Sequence, residues 1–212
     1  MNRVSNLSKL TSASFFDKNT LKEVIGGSDD AVSANIVRWI ESGRLIQLKK
    51  GIYVTKEYYL QCSDKQSYGE FVANILKKPS YLSGEYVLQK YGILSESVFS
   101  ITSVTRKKTR AYNNKLGVFL YSNIKDKLFG GFNIVFKSGY EIKEATKTKA
   151  LFDYLYFRLW RVPEVNPEII SSFRLNLGDF VVSDFDDINY LVDLSGVKKF
   201  TNLVAYLKET TK

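Results

Sequence analysis

Apolar residues recur every three or four positions through residues 7–42, which is the spacing of amphipathic helices. We expect three helices there, the second capped by Asp17 or Asn19, and the third capped by Ser28 and ending near Ser42. The first of them holds four apolar residues: Leu7, Leu10, Phe15 and Phe16. A Gly-Gly pair separates the second helix from the third, so a tight turn is predicted between them.

The pattern changes to short alternating runs directly after the third helix. One run precedes the tripeptide Lys49-Lys50-Gly51 and another follows it, which predicts a hairpin with a basic tip. Three helices followed by such a hairpin are typical of a winged helix-turn-helix. We therefore interpret residues 1–58 as a DNA-binding domain of that kind, with the hairpin as its wing.

Residues 65–212 are predicted to form a larger, mixed α/β C-terminal domain. Its strands are expected in four runs, at 98–105, 116–122, 132–137 and 140–145, with a Ser138-Gly139 turn between the last two. Helical spacing flanks them, in a segment that ends at Pro79, in 83–92, in 146–161 and beyond Pro167. The predicted fold class is α+β.

The composition excludes several kinds of chemistry. The chain has no histidine and a single cysteine, Cys62, so His-based catalysis, an intrachain disulfide and a zinc cluster are ruled out. We predict no catalytic residue, no cofactor and no metal. No apolar run is long enough for a membrane span and no signal peptide is recognisable, so we expect a cytoplasmic protein without membrane contact.

The charge points to an anionic partner. The net charge is +9, and residues 61–160 carry 16 basic against eight acidic side chains. Residues 161–212 are slightly acidic, with six basic and eight acidic side chains. A basic surface of this kind is typical of proteins that bind nucleic acid or an anionic membrane surface.

Four side chains of the third helix are candidate DNA contacts. Asn35 and Arg38 are predicted to face away from the apolar side, and they are the residue types that bond adenine and guanine in the major groove. Ser28 and Ser33 are further candidates on the same helix. The alternative interpretation is that these residues only solvate an exposed face.

Phosphate contacts are predicted at two other places. Lys49 and Lys50 at the hairpin tip are expected to touch the DNA backbone. A basic loop, "TRKKTR", is expected to extend that contact with four cations: Arg106, Lys107, Lys108 and Arg110. The alternative for the loop is a purely solubilising role.

One enzymatic hypothesis stays open. Asp126 together with Glu141 and Lys143 has the acidic-x-Lys arrangement of metal-dependent nucleases, in which carboxylates hold Mg²⁺ and the lysine activates water. Patterns this short arise often by chance. A non-enzymatic protein is therefore the preferred prediction.

Several motifs in order along the chain resemble one family, the AbiEi antitoxins of type IV toxin–antitoxin and abortive-infection systems. They are the hairpin "LKKGIYV", the segment "PSYLSGEYVLQKYGIL", the strand and loop "FSITSVTRKKTR", and the helix "ATKTKALFDYLY" with Lys149, Ala150, Leu151 and Asp153. The similarity spans residues 20–160 and is less distinct in the last 50 residues.

The resemblance implies a phage-defence protein with two functions. Its winged helix-turn-helix would repress its own promoter by binding inverted repeats in double-stranded DNA. Its C-terminal domain would counteract a cognate nucleotidyltransferase toxin, without requiring a stable complex. A transcription factor without a toxin partner is the alternative.

Overall fold

The structure is a computed structural model that describes residues 7–209. These residues contain nine α-helices: α1 (Lys18–Ile25), α2 (Asp29–Glu41), α3 (Lys56–Gln61), α4 (Lys65–Leu76), α5 (Glu85–Lys90), α6 (Lys147–Arg158), α7 (Pro167–Ser172), α8 (Val182–Ser195) and α9 (Leu203–Glu209). They also contain nine strands: β1 (Phe16–Asp17), β2 (Leu45–Lys49), β3 (Ile52–Thr55), β4 (Ser80–Leu82), β5 (Ile101–Thr105), β6 (Arg110–Asn114), β7 (Gly117–Asn123), β8 (Phe132–Lys137) and β9 (Tyr140–Ala145). Four short 3₁₀ helices complete the described elements: Ser8–Leu10, Asp126–Leu128, Leu159–Arg161 and Lys198–Phe200.

The N-terminal part has two α-helices and a three-stranded antiparallel sheet of order β1-β3-β2. Within the described residues the predicted first helix is wrong for Phe16: the 3₁₀ turn Ser8–Leu10 ends at Leu10, and Phe16 belongs to β1, where it pairs with Tyr53. The Thr11 hydroxyl donates to the Ser8 carbonyl at 2.7 Å, a local bond that competes with helix formation. Phe16 is buried by the strand pairing instead.

The two predicted helix caps of this part are confirmed. Asp17 accepts a hydrogen bond from the Thr20 amide at 2.8 Å, and Ser28 accepts one from the Ala31 amide at 3.3 Å. Each cap satisfies an amide that the first turn leaves without a helical partner. The predicted hairpin is present as β2 and β3, and the two helices α1 and α2 pack beside it.

The C-terminal part is built on a six-stranded mixed sheet of order β6-β7-β5-β4-β9-β8. The pairs β4–β9 and β5–β7 are parallel, and the others are antiparallel. The four predicted strands are present as β5, β7, β8 and β9, and the turn at Ser138-Gly139 has the expected positive φ angles. The chain is therefore mixed α+β with two sheets.

Two strands of that sheet were not predicted. β4 is only three residues long, and β6 follows the basic loop with the polar sequence "RAYNN", which lacks alternating apolar positions. β6 is an edge strand, so one of its faces and its outer edge need no apolar partner. Arg110 therefore begins a strand and does not lie in a loop as predicted.

The hairpin contributes to two hydrophobic clusters. Leu45 and Tyr53 join the small N-terminal cluster with α1 and α2, whereas Ile46, Leu48 and Val54 belong to the large C-terminal cluster. Two polar contacts strengthen the same junction. The Lys49 ammonium donates to the Leu76 carbonyl at 2.7 Å, and the Tyr68 hydroxyl donates to the Ser14 carbonyl at 2.8 Å.

A buried ion pair fixes helix α6 against the large sheet. Lys149 and Asp153 lie one turn apart and are 1% and 0% exposed, and their side chains form a salt bridge. The second carboxylate oxygen of Asp153 accepts hydrogen bonds from the Tyr81 hydroxyl at 3.0 Å and the Ser83 hydroxyl at 2.7 Å. A Cβ at Gly131 would lie 2.9 Å from the Lys149 stem, so this position requires glycine.

A second compensated set of charges joins α4, α5, β8 and β9. The carboxylates of Glu70 and Glu144 are almost fully buried, and Lys90 and Lys137 each bridge both of them. The Tyr86 hydroxyl also donates to Glu70 at 2.8 Å.

No described helix has the length and apolar character needed to cross a membrane.

Candidate nucleic-acid interface

Helix α2 separates a buried face from an exposed face. Val32, Ile36 and Trp39 pack into the N-terminal cluster, as their spacing predicts. The opposite face carries Ala34 and Arg38, both exposed, and the side chain of Val37, which is 53% exposed. Arg38 therefore presents a guanidinium to solvent from the second of the two helices that precede the hairpin.

The predicted exposure of Asn35 is wrong. Asn35 is only 8% exposed, because it lies three residues after Val32 and four before Trp39 and so falls at the border of the buried face. An amide in this position cannot reach a base edge without a change in helix packing. Of the two side chains predicted to contact bases, Arg38 is the exposed one.

The two serine candidates bond within their own helix. The Ser28 hydroxyl caps α2, and the Ser33 hydroxyl donates to the Asp29 carbonyl at 2.7 Å. Ser28 is exposed and Ser33 is half-buried. Asp29 beside them pairs with Lys22 at 2.8 Å, which offsets part of the negative charge at this end of α2.

The two lysines of the hairpin have different surroundings. Lys50 lies in the turn beside Gly51, whose φ of +84° only glycine adopts readily, and its side chain is exposed. Lys49, predicted to touch the DNA backbone, is half-buried and its ammonium donates to the Leu76 carbonyl at the end of α4. Lys50 is the cation that the hairpin tip offers to solvent.

All four predicted cations of the basic loop are exposed: Arg106, Lys107, Lys108 and Arg110. The Arg106 guanidinium lies 5.2 Å from the centre of the Phe129 ring, and that of Arg110 lies 5.2 Å from the centre of the Tyr112 ring. These aromatic contacts hold the two arginines in place without neutralising them.

The loop and the hairpin meet at the end of α4. Burial lowers the pKa of Lys49 below the usual lysine value, and so do four like charges nearby, those of Lys107, Lys77, Lys78 and Arg110. Burial likewise lowers the pKa of Lys77, helped by Arg110 and Lys107. We call these five residues the cation cluster.

No member of the cation cluster forms an ion pair with any residue of the described chain. Sequence reasoning missed Lys77 and Lys78, although the dipeptide stands directly before Pro79 at a helix end, where exposed cations are common. Like charges held together raise the free energy of the isolated protein, and a bound polyanion relieves that cost.

A groove of about 610 Å³ runs between the hairpin and strand β6. Its walls are Ile40 of α2, residues 47–50 of the hairpin and residues 110–115. The Asn114 amide donates to the Leu48 carbonyl at 2.8 Å and thereby joins the two walls. We call this the hairpin–β6 groove.

The residues of the nuclease hypothesis lie in different surroundings. Glu141 and Lys143 line a second groove with Phe71 of α4, whereas Asp126 begins a 3₁₀ helix that packs against α8. Within residues 7–209 no three His, Cys, Asp or Glu side chains are grouped so as to hold a metal ion. Nothing in this geometry adds support to the nuclease hypothesis.

No family model matches the chain, and no curated protein matches it significantly. A functional assignment therefore rests on the arrangement of α2, the hairpin and the cation cluster.

Proposed function

We propose that the protein is a DNA-binding autorepressor and antitoxin, in which the N-terminal part acts as a winged helix-turn-helix. The observation that carries the proposal is the cation cluster, which lies beside Lys50 of the hairpin and contains no compensating carboxylate among the described residues. Double-stranded DNA, with one negative charge per ~1.7 Å of helix axis, is the partner that such a surface suits.

The residues divide into two roles on DNA. Lys50 and the loop cations contact phosphates, which positions the protein but carries no sequence information. Arg38 projects from the exposed face of α2 and reads guanine by a two-point hydrogen bond in the major groove. Helix α2 is thus the recognition helix and the hairpin is the wing.

The decisive experiment is a mobility shift with the DNA upstream of the protein's own gene, compared with random DNA at two salt concentrations. We expect tight binding to the upstream DNA, which weakens steeply as salt rises. Weak and equal binding to both DNAs would exclude the repressor function and leave the helix–turn–helix as a scaffold.

The antitoxin part of the proposal is supported by the ordered resemblance to the AbiEi family. In this role the protein counteracts a nucleotidyltransferase toxin that is encoded beside it. Co-expression tests this directly: the protein restores growth to cells that produce the neighbouring gene product. Unchanged toxicity, or an adjacent gene of another class, would leave a transcription factor without a toxin partner.

A further inference from the structure

The two edge strands of the large sheet differ in how they are protected against further pairing. β6, at one edge, has the polar sequence "RAYNN" and begins with an exposed arginine. β8, at the other edge, has the apolar sequence "FNIVFK" and stays in regular register with β9 along its whole length. Proteins usually blunt a long apolar edge with charges, proline or a bulge. Residues 132–136 of β8 contain none of these devices.

The outer edge of β8 carries unpaired backbone groups. A two-residue turn at 138–139 joins β8 to β9, so the pair Lys137–Tyr140 that closes the turn exchanges both of its backbone hydrogen bonds. Bonded and non-bonded pairs alternate along an antiparallel ladder, and within residues 7–209 no strand pairs with the outer edge of β8. The amide and carbonyl groups on that edge belong to three residues: Phe132, Ile134 and Phe136.

The side chains of the same three residues point to one face of the sheet. Ile134 and Phe136 are 53% and 76% exposed, and among the described residues neither packs against a hydrophobic cluster. Phe132 stacks on Tyr81 with the ring centres 4.9 Å apart, which anchors the first residue of the strand. Apolar side chains this exposed on an open edge strand indicate a surface that another strand covers.

We propose that β8 pairs with β8 of a second copy of this chain, in antiparallel orientation about a two-fold axis at Ile134. Ile134 then lies opposite Ile134 of the second copy, and Phe132 lies opposite Phe136 of the second copy, so each outward backbone group meets another. The exposed apolar side chains of both copies form one continuous patch on one face. Because this pairing uses up the outer edge of β8 in both copies, it closes at a dimer.

The distribution of charge favours a second copy at this edge, although the chain carries +9. The one charged residue of β8, Lys137, bridges Glu70 and Glu144, and in the proposed register it lies opposite Gly131 of the second copy. The cation cluster lies towards the other edge, where Arg110 begins β6.

The two cation clusters are far apart in such a dimer. Because each copy contributes six strands, the two β6 strands lie about 50 Å apart at ~4.8 Å per strand. That separation is several times the Debye length of about 8 Å at physiological salt, so the clusters repel each other little.

The test is sedimentation velocity of the full chain at increasing protein concentration, without DNA. We expect the wild-type protein to shift from 24.2 kDa to twice that mass and no further. Ile134→Lys places two lysines opposite each other at the axis and should raise the dimer dissociation constant about tenfold or more. Val182→Lys is the matched control, because Val182 is an exposed apolar residue at the start of α8, and this variant should dimerise like wild type.

A proline variant separates backbone pairing from side-chain contact. Ile134→Pro removes an amide that points outwards and leaves the hydrogen bonds to β9 in place, so it should weaken the dimer and keep the fold. Circular dichroism checks that each variant is folded. Phe136→Lys probes the same edge if Ile134→Lys does not fold.

Three outcomes would overturn the inference. A wild-type protein that remains at 24.2 kDa at every concentration would exclude the second copy as occupant. A dimer that Ile134→Lys and Ile134→Pro form as readily as wild type would exclude β8 as the interface. Growth beyond the dimer would contradict the two-fold axis. Since no DNA is present, failure of the proposed function in the mobility shift is a separate result.

Discussion

The lysines of this protein fall into two regions with opposite electrostatics. In the core of the C-terminal part, Lys149 is buried against Asp153, and Lys90 and Lys137 share two buried carboxylates. At the junction of the hairpin with the large sheet, the cation cluster has no carboxylate partner within residues 7–209. The first region is internally neutral, and the second carries uncompensated positive charge.

The difference separates residues that serve the fold from residues to which the proposed function assigns a partner. A buried charge is tolerated only with an opposite charge and well-placed hydrogen bonds. A buried, paired lysine is therefore explained by the packing of the core. Cations kept close together without a carboxylate repel one another and gain nothing for the isolated chain. The resemblance motif containing Lys149 and Asp153 thus describes the fold, and the residues around Lys78 describe the proposed DNA contact.

The largest effect is expected from Asp153→Ala, which leaves Lys149 charged and unpaired in the core. We expect the free energy of unfolding to fall by about 3–5 kcal/mol, measured by denaturant titration. The Tyr81 and Ser83 hydroxyls lose their acceptor at the same time.

Two controls bracket that prediction. Arg158→Ala breaks an exposed pair with Glu85 and should cost no more than about 1 kcal/mol. Replacing both core partners, as Lys149→Met with Asp153→Leu, should destabilise less than Asp153→Ala alone because no charge is stranded. A double variant as unstable as the single one would contradict the charge argument.

Arg38→Ala is expected to have the next largest effect, on DNA affinity and not on stability. The free energy of binding to the upstream DNA should weaken by about 1–3 kcal/mol, with relaxed preference at one base pair, measured by mobility shift. The affinity for random DNA should fall much less. The same loss on both DNAs would remove Arg38 from base reading and leave it as a phosphate contact.

Lys78→Ala should weaken binding to every DNA sequence alike and make the salt dependence shallower, by about one unit in the slope of log affinity against log salt. Stability should not fall, because Lys78 is exposed and forms no ion pair with a described residue. Lys198→Ala removes an exposed cation from the slightly acidic segment 161–212 and is the matched control. Identical slopes for both variants would place Lys78 outside the interface.

The smallest effect concerns the pH dependence of stability. Because burial and like charges lower the pKa of Lys49, the folded protein loses this proton at a lower pH than the unfolded chain. The free energy of unfolding of the wild-type protein, compared with that of Lys49→Met, should therefore rise with pH. The rise should occur between the lowered pKa of Lys49 in the folded protein and the usual lysine pKa. Thermal unfolding of both proteins across that alkaline interval checks the sign; a fall would contradict it.

The sequence predicted those parts of the fold that depend on local pattern. The caps Asp17 and Ser28, the hairpin and the strands β5, β7, β8 and β9 each have a strong periodic or capping signal. β4 is too short to show alternation, and β6 lacks alternating apolar positions. Phe16 was assigned to a helix because its strand partner, Tyr53, lies far away in sequence.

The candidate site was predictable where exposure follows from helix geometry. Arg38 was correctly placed on the solvent face, and a count of spacings would have placed Asn35 near Val32 and Trp39. Lys77 and Lys78 could not be linked to Lys49 from sequence, because their proximity arises from the packing of α4 against β2. Long-range packing decides which cations share a surface.

The hairpin packs into both hydrophobic clusters, which limits where the chain can be truncated or joined to another protein. A fragment that stops at residue 58 would carry Ile46, Leu48 and Val54 without the cluster that covers them in the whole chain. Three bare aliphatic side chains beside an open strand edge invite self-association. Grafting the first 58 residues onto another chain should thus yield insoluble chimeras, unless α4 and β6 are transferred with them.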